Sequence, residues 1–421
     1  MSALAEISRR RLLQNTAAYA AATLAHHAGA QTTISASPGS QDEVQLSQIH
    51  GPSEEDEKAP GPFLAPDGRV GYAVVGLGRL AIDQILPAFG RSRYSKPVAL
   101  VSGDRDKARK IAAQYGIASN SIYSSYENYE GLAANEQVQA IYVVLPNGMH
   151  EEYVTRGAKI GKHMLCEKPM ATSSAEAKRM IDASEAAKVK LMIAYRQQYE
   201  PNNRMLARMV ASGKMGKLRG FLATNSQQQG DPIQWRLKKA MAGGGCLPDV
   251  GLYCLNAARF LSGQEPERIS AQLWQPKDDP RFREVEASIS FSLYFKSGFV
   301  ATCTASYDVH KSQMFRLEGT DAWADMSPAF AYHGNKLSWS LLDGKEEMKF
   351  VPQVEEKDQF ALEVDHFSDC ILQEKIPHTP GEEGLQDHRI MEAIYEAAES
   401  GKVIHLSGLL QSTRGPEPET T

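Results

Sequence analysis

Three separated segments of the sequence carry side chains that could oxidise an alcohol or reduce a carbonyl. Lys168 follows a short apolar run, and Asp249 and Tyr253 follow a run of three glycines. A glycine-rich turn at 74–81 lies upstream of both. A cofactor turn, a lysine and a tyrosine in this order are typical of a nicotinamide-dependent oxidoreductase.

A tyrosine can take the proton of an alcohol when its anion is stabilised. A phenol with the ordinary pKa of about 10 is a weak base at neutral pH, and an ammonium such as that of Lys168 stabilises the phenolate. Tyr253 would then accept a proton in the oxidation and return it in the reduction. Asp249 lies four residues earlier, on the same helix face, where it could accept hydrogen bonds from the hydroxyl groups of a substrate. Alternatively, Asp249 only caps the helix and Lys168 only binds cofactor phosphate or ribose.

The elements that position these groups begin with a predicted strand at 70–75 and an apolar-periodic helix after it. Between them stands Gly76-x-Gly78-x-x-Ala81, in which the first glycine allows a tight turn and the second lets the backbone approach a pyrophosphate. The N-terminus of the helix then presents free N–H groups to the phosphates. The cofactor contacts predicted from this turn are Gly76, Gly78, Arg79 and Leu80.

The second predicted strand, 97–101, ends at Ser102 where an NAD site would carry a carboxylate for the ribose 2′-hydroxyl. A hydroxyl with the cations of Arg79 and Lys107 nearby suits a 2′-phosphate, which a carboxylate would repel. We therefore predict NADP as the cofactor, with contacts at Ser102 and Lys107. NAD is the less favoured alternative, because two acidic residues follow at 104 and 106.

The third predicted strand, 140–144, leads into a loop that should border the nicotinamide, because open α/β sheets bind ligands at the carboxyl ends of their strands. Asn147 in this loop could instead cap the next helix. A further strand at 163–166 delivers Lys168 to the same edge. The cofactor contacts predicted here are Leu145, Asn147, His150, Glu167 and Lys168.

After about residue 200 strand-like segments follow one another without helices between them, which predicts a largely antiparallel sheet. The fold class is therefore α/β: an N-terminal Rossmann domain at 67–195, then an α+β domain at 196–406 with a large, mostly antiparallel open sheet. We expect the helices at about 247–261, 358–373 and 385–399 to cover this sheet. Its open face favours a homodimer or homotetramer, and residues 407–421 read as a flexible tail.

The two ends of the chain differ from the folded part. Residues 1–30 combine an arginine pair, a weakly apolar run and an Ala-x-Ala pattern, which predicts a twin-arginine export signal and a periplasmic or otherwise exported protein. Residues 31–66 are polar and acidic and read as a disordered leader or an arm. An exported enzyme has no pool of free dinucleotide, which favours a tightly held cofactor that one substrate reduces and a second reoxidises.

The composition of the chain limits the classes of protein and of partner that remain to be considered. A chain of 421 residues with 42% hydrophobic and 23% charged residues is an ordinary globular protein of two domains with extensions. The net charge of −5 argues against a nucleic-acid partner. The five cysteines show no metal-binding spacing, so we expect no metal site. We expect no membrane association after export.

The motifs together resemble the glucose–fructose oxidoreductase group of the Gfo/Idh/MocA family across about residues 70–405. In the first half the matching segments are Gly-Tyr-Ala-Val-Val-Gly-Leu-Gly (71–78), Gln-Ile-Leu-Pro (84–87), Ala-Leu-Val-Ser-Gly (99–103), Leu-Pro-Asn (145–147), Cys-Glu-Lys-Pro-Met-Ala-Thr (166–172) and Leu-Met-Ile-Ala-Tyr-Arg (191–196). In the second half they are Gln-Trp-Arg-Leu (234–237), Gly-Gly-Gly-x-Leu-x-Asp-x-Gly-x-Tyr (243–253) and Pro-Gly-Glu-Glu-Gly-x-Gln-Asp (380–387).

The resemblance implies an NADP-containing enzyme that acts on sugars and forms dimers or tetramers. It implies that Lys168 and Tyr253 are the central catalytic residues and that Asp249 is a substrate ligand. It also implies that four residues line the cofactor and sugar site: Tyr195, Arg196, Trp235 and Arg236. The wider family often has histidine where this chain has Tyr253, whereas the sugar oxidoreductase branch has tyrosine. The segment 31–66 shows no clear match.

We therefore expect an exported NADP-dependent oxidoreductase that oxidises an aldose at C1 and reduces a second sugar. An NAD-dependent glycosidase on the same scaffold is the first alternative, and a sugar dehydrogenase with exchangeable cofactor is the second. A non-enzymatic sensing protein is the third, against which the joint presence of Lys168, Asp249 and Tyr253 argues.

Overall fold

The computed structural model of the protein describes residues 64–408 and 411–418. The expected export signal, and all but the last three residues of the expected arm at 31–66, lie outside the described residues. In the part of the chain that is described, no helix is both long enough and apolar enough to cross a bilayer.

The first half of the described chain is a six-stranded parallel sheet with the strand order β3-β2-β1-β4-β5-β6. Its strands are β1 (Val70–Val75), β2 (Ser95–Val101), β3 (Ile122–Tyr123), β4 (Ala140–Val143), β5 (His163–Glu167) and β6 (Leu191–Ala194). Its α-helices are α1 (Leu86–Phe89), which continues a π-helical turn at Ala81–Ile85, then α2 (Arg105–Tyr115), α3 (His150–Lys159) and α4 (Ser174–Ala186). This strand order is that of a dinucleotide-binding Rossmann fold.

Local sequence explains these elements. Every residue of β1 is buried, as expected of a central parallel strand covered on both faces. The helix α2 begins where the Asp104 carboxylate accepts a bond from the Lys107 amide, 3.0 Å away, and ends at Gly116, which adopts a left-handed φ of 65°. Ser173 caps α4 in the same way, through the Glu176 amide. The predicted alternation of strands and helices is confirmed.

The second half forms a nine-stranded sheet with the order β14-β13-β12-β11-β7-β10-β9-β8-β15. Its strands are β7 (Leu218–Ser226), β8 (Pro266–Trp274), β9 (Ser288–Phe295), β10 (Val300–Ser306), β11 (Ser312–Gly319), β12 (Ala322–Met326), β13 (Leu337–Asp343), β14 (Glu346–Phe350) and β15 (Ile404–His405). The helices are α5 (Pro201–Ala211), α6 (Lys239–Ala242), α7 (Leu252–Ser262), α8 (Gln359–Leu372) and α9 (Gly381–Ser400). All neighbouring strands pair antiparallel except β7 and β10. The predicted fold class is confirmed.

Buried and more accessible residues alternate along β9 and β10, so one face of this sheet packs against the core. The helix α7 is buried along nearly its whole length and lies against that inner face. It is preceded by a π-helical turn at Leu247–Gly251, the segment that carries Asp249.

The helix α8, which we expected to cover the second sheet, packs on the first. Val364 and Phe367 join the core formed by β1 and its neighbours, and the Val364 carbonyl accepts a bond from the Tyr72 hydroxyl of β1 (3.3 Å). The chain therefore returns to the Rossmann sheet after the second sheet. Part of the segment 196–406, predicted to form the second domain, thus packs on the first sheet.

Residues 411–418, within the segment expected to be a flexible tail, instead run along the folded body. The Thr413 hydroxyl and the Arg414 guanidinium donate to the two oxygens of Glu383, at 2.6 and 3.2 Å. The Gly415 amide donates to the His378 carbonyl at 2.9 Å. Since the Glu383 side chain is fully buried, it needs these donors, and they hold the segment in place.

Candidate active site

The glycine turn after β1 leaves room for a phosphate. Gly76 has a φ of 94°, and a Cβ there would lie 2.3 Å from the Val144 carbonyl oxygen, so only glycine fits. At Gly78, by contrast, a Cβ would meet no atom within 4 Å, because this position borders the cleft. The turn therefore fits a dinucleotide pyrophosphate at the helix N-terminus.

The side chains after β2 form the ribose end of the cleft. The Ser102 hydroxyl accepts a bond from the Asp104 amide (3.1 Å), and its own proton is left for a ligand. The carboxylate of Asp104 is engaged in capping α2. Arg79, whose side chain is 93% exposed, and Lys107 line the same cleft as Ser102. A hydroxyl with cations in the same cleft suits a 2′-phosphate better than a bare ribose hydroxyl.

The loop after β4 borders the middle of the cleft, and its members have different tasks. Asn147 lines the cleft while its amide donates to the Ala242 carbonyl, which ties the loop to the second half of the chain (2.9 Å). His150 is fully buried, and its two ring nitrogens lie 2.8 Å from the Leu145 carbonyl and 3.0 Å from that of Pro169. Its imidazole therefore fixes two loops and does not line the cleft.

Lys168 and Asp249 meet at the centre of the cleft. The ammonium of Lys168 lies 3.0 Å from the Asp249 carbonyl oxygen and 3.2 Å from its Oδ1. It also lies 4.6 Å from the centre of the Tyr253 ring. Burial alone would lower the pKa of Lys168, but the neighbouring Tyr253 and Asp249 raise it, so the side chain stays an ammonium at neutral pH.

Asp249 is held as a carboxylate by three partners. Besides Lys168, the Tyr307 hydroxyl donates to Oδ2 (2.6 Å) and Arg236 Nε lies 3.2 Å from the same oxygen. Burial would raise the pKa of Asp249, yet the charges of Lys168 and Arg236 and the bond from Tyr307 hold it far below its usual value. The N-cap of this helical segment is Cys246, so Asp249 serves the cleft and is not the capping residue.

Tyr253 receives a second cationic contact from Arg196. The guanidinium donates to the Tyr253 hydroxyl through Nη2 at 3.1 Å. It is anchored by the carbonyl of Phe330 (2.7 Å) and the side-chain oxygen of Gln359 (2.6 Å), and it lies 4.6 Å from the ring centre of Tyr332. Two fixed cations thus contact Tyr253, one at its hydroxyl and one over its ring.

The far end of the cleft, toward the second sheet, is lined by amides. Trp235 and Arg236 stack there, with the guanidinium 4.5 Å from the indole. The amide side chains that line the cleft beside them are Asn225, Gln227, Gln229, Gln234 and Gln313. Amides both donate and accept hydrogen bonds, as sugar hydroxyls do, so this wall can recognise a polyol.

A single cleft of about 940 Å³ brings most of the predicted residues together. The predicted residues that line it are Gly76, Gly78, Arg79, Leu80, Ser102, Lys107, Leu145, Asn147, Glu167, Lys168, Arg196, Trp235, Arg236, Asp249 and Tyr253. His150 and Tyr195 do not line it. Tyr195 is buried behind the cleft near Asp387 and Glu383, because β6, which precedes it, ends inside the core.

Three residues of the site were missed from the sequence, one that bonds Asp249 and two that line the cleft. Tyr307 directly follows β10, so a tyrosine at a strand end was the available signal. Phe330 and Tyr332 lie between β12 and β13 in a segment without a motif. The described residues contain no group of three or more metal-binding side chains placed to hold an ion.

Comparison with known proteins agrees with this architecture. Residues 70–195 match the oxidoreductase family with an NAD-binding Rossmann fold, and residues 203–325 match the GFO/IDH/MocA C-terminal domain. The chain is 32% identical to the D-xylose 1-dehydrogenase [NADP(+)] of Haloarcula marismortui, over 81% of this chain and 94% of that protein. It is 29% identical to D-xylose 1-dehydrogenase (NADP(+)) 2 of Haloferax volcanii, over 80% and 99% of the two chains.

Among solved structures, the aldose-aldose oxidoreductase of Caulobacter crescentus, complexed with glycerol, is similar at 40% identity. The alignment covers 80% of this chain and 100% of that one, with a TM-score of 0.77. The likeness therefore extends over both sheets and the cleft between them. The chain belongs to the Gfo/Idh/MocA family of oxidoreductases.

Proposed function

We propose that this protein is an NADP-dependent sugar oxidoreductase that oxidises an aldose at C1 to the lactone and passes the reducing equivalents to a second sugar. One observation carries the proposal: Lys168 and Arg196 both contact Tyr253 in the same cleft as the dinucleotide turn. This arrangement supplies a proton acceptor beside a place for a hydride acceptor.

NADP fits the cleft better than NAD. Gly76 and Gly78 leave space for the pyrophosphate, and Ser102, Arg79 and Lys107 line the same cleft and could bind the 2′-phosphate. The two haloarchaeal relatives are named as NADP(+) enzymes, which supports the same cofactor here. When bound, NADP supplies the acceptor for the hydride that leaves C1 of the sugar.

The residues of this chain handle the proton. The Tyr253 oxygen, which accepts a hydrogen bond from Arg196 and whose ring lies beside Lys168, takes the proton of the C1 hydroxyl. The Lys168 ammonium directs two donors at Asp249 and has a third for the sugar. Asp249, kept as a carboxylate, accepts a sugar hydroxyl and so orients C1.

A second sugar balances the reaction. The aldose loses two electrons and two protons as its C1–H and O–H bonds break, and a second carbonyl gains the same number as its C–H and O–H bonds form. Tyr253 returns the proton in this half-reaction. The likeness to the Caulobacter aldose-aldose oxidoreductase supports this coupled reaction. The likeness to the xylose dehydrogenases supports the second candidate, oxidation of an aldose with exchangeable NADP.

The test is the near-ultraviolet spectrum of the purified protein without added cofactor, before and after glucose or xylose. The band of reduced nicotinamide should appear with the aldose and fade with a second sugar. A protein that turns over only with added NADP would favour the exchangeable-cofactor dehydrogenase. No turnover of any aldose with either NADP or NAD would refute both.

We also propose that the protein is exported, since its first thirty residues carry an arginine pair before a weakly apolar run. The full chain should appear in the periplasmic fraction of a bacterium with a twin-arginine system. Replacing Arg9 and Arg10 with lysine should retain it in the cytoplasm. Equal fractionation of both forms would contradict the proposal.

A further inference from the structure

Behind the cleft, one tyrosine hydroxyl serves two buried carboxyl groups. The hydroxyl of Tyr142 on β4 lies 2.7 Å from Oε1 of Glu167 and 3.3 Å from Oε1 of Glu363. Tyr142 and Glu363 are fully buried, and Glu167, which lines the cleft, is 7% exposed. The three side chains thus form a chain that leads inward from the residue next to Lys168.

The three side chains have too few protons for Glu167 and Glu363 to be carboxylates that both accept a hydrogen bond from Tyr142. A phenol donates one hydrogen bond, so it can serve only one of the two oxygens at a time. The other oxygen of Glu363 has no hydrogen-bond partner among the described residues. An ionised Glu363 would therefore be a buried anion facing a second anion without a donor of its own, which is strongly unfavourable.

The groups around Glu363 place the extra proton on it. Burial, followed by the charge of Glu167, raises the pKa of Glu363 well above its usual range, and Arg196 compensates only in part. Burial raises the pKa of Glu167 too, and the bond from Tyr142 and the charges of Lys168 and Arg196 offset this only in part. The remaining ionisable groups that face Glu363 are Asp358 and Tyr199. Neither is a cation.

We propose that Glu363 is a positioning residue kept in its neutral form, which donates its proton to Tyr142 so that Tyr142 donates to Glu167. The proton of Glu363 forms one hydrogen bond, to the Tyr142 oxygen, and the Tyr142 proton forms the next. Glu167 then remains a carboxylate beside Lys168. No proton leaves the three side chains.

The consequence lies in the charge of the cleft. Around Tyr253 and Asp249 the structure has three cations, Lys168, Arg196 and Arg236, and two anions, Asp249 and Glu167. With Glu363 neutral, one positive charge is in excess, and it is matched when Tyr253 becomes an anion. An ionised Glu363 would cancel that excess. This consequence rests on the proposed role of Tyr253 in proton transfer.

The first test follows the melting temperature with pH, and it needs no substrate. A carboxyl whose pKa is raised by folding lowers stability progressively as the pH rises above its unfolded value. Glu363→Gln removes this effect while preserving a donor. Its melting temperature relative to that of the wild type should rise by about 2 °C per pH unit between pH 5 and 8. Glu399→Gln, at an exposed helix position, is the control and should show no trend. A constant difference for E363Q would overturn the proposal.

The second test compares two buried tyrosines whose hydroxyls both reach α8. Tyr142 bonds Glu363, whereas Tyr72 lies 2.9 Å from the Ser368 hydroxyl, away from the cleft. Tyr142→Phe should change kcat about tenfold, because Glu167 loses its hydrogen-bond donor and with it the carboxylate charge beside Lys168. Tyr72→Phe should lose a similar amount of stability and keep its kcat. Equal kcat values for the two variants would overturn the proposal.

The two tests separate this inference from the proposed function. If the wild type oxidises no aldose, the proposed function fails, while the pH trend of E363Q still decides the protonation of Glu363. If the wild type is active and the trend is absent, only the inference fails.

Discussion

Two clusters of ionisable side chains in the described part of the chain can be compared, one that lines the cleft and one that is closed off from it. The cleft cluster consists of Lys168, Arg236, Asp249 and Tyr253. The sealed cluster consists of Arg259, Glu265, Glu383, Asp387 and Arg414. In the sealed cluster the side chain of Arg259 is fully buried, and its nitrogens donate to Glu265 (2.6 Å), Glu383 (2.8 Å) and Asp387. The charged groups of this cluster pair with one another, and none of them lines the cleft.

The cleft cluster keeps capacity for a ligand. Lys168 and Arg236 both hold Asp249, yet all three side chains line an open cleft and remain partly accessible. The comparison shows that a buried network of charged side chains can serve as a ligand-binding site when its members also face a cavity. We therefore expect changes in the cleft cluster to affect turnover, and changes in the sealed cluster to affect stability.

The largest effect is expected from Tyr253→Phe. Loss of the proton acceptor should lower kcat about 1000-fold, since general acid–base groups contribute about 100- to 10,000-fold. The melting temperature should change little, because the hydroxyl is bonded by Arg196 alone among the described residues. Steady-state kinetics with an aldose and NADP measure this. Tyr332→Phe, in the same cleft, is the control and should stay within about threefold; a similar loss in both would contradict the assignment.

The opposite pattern is expected from Arg259→Met. Removal of the guanidinium that bonds Glu265, Glu383 and Asp387 together leaves buried carboxylates uncompensated, which costs about 3–5 kcal/mol of unfolding free energy. Urea unfolding measures this loss. Lys168→Met should cost clearly less than this, because Arg236 and Tyr307 still hold Asp249. If K168M is the less stable of the two, the distinction between the clusters is wrong.

The sequence allowed the fold and most of the cleft to be predicted, because these depend on local patterns. The apolar run of β1, the glycines after it and the lysine after β5 each have a signal within a few residues. Parallel strands then bring their carboxyl ends to one edge, so Ser102, Asn147 and Lys168 had to converge. The tyrosine four residues after Asp249 followed from helical spacing.

What the sequence did not reveal depends on contacts between distant segments. Tyr307 reaches Asp249 only because β10 lies beside β7 in the second sheet, a parallel pairing that strand patterns do not predict. His150 and Tyr195 were assigned to the cleft from their position at strand or loop ends, but packing turned both away. The docking of Arg414 on Glu383 could not be foreseen, because the carboxylate and its donor are about thirty residues apart in a region without periodic pattern.

A smaller effect tests the ribose end of the cleft. Ser102→Asp places a carboxylate where a 2′-phosphate would lie, and it should shift the ratio of kcat/KM for NADP over NAD about 10- to 100-fold toward NAD. Ser102→Ala, which removes only the hydroxyl, should shift it about threefold or less. If the aspartate leaves the ratio unchanged, the 2′-phosphate does not lie beside Ser102.

The smallest effect is expected where the sealed cluster meets the C-terminal segment. Arg414→Met removes one donor from Glu383, which keeps those of Arg259 and Thr413, so the cost should be about 1–2 kcal/mol of unfolding free energy and not the larger loss of R259M. Arg389→Met, at an exposed position of α9, is the control and should change stability by less than about 0.5 kcal/mol. An R414M protein as stable as R389M would mean that residues 411–418 do not contribute to the closure of the cluster. A loss confined to stability, with kcat retained, would place this segment with the sealed cluster and apart from the cleft.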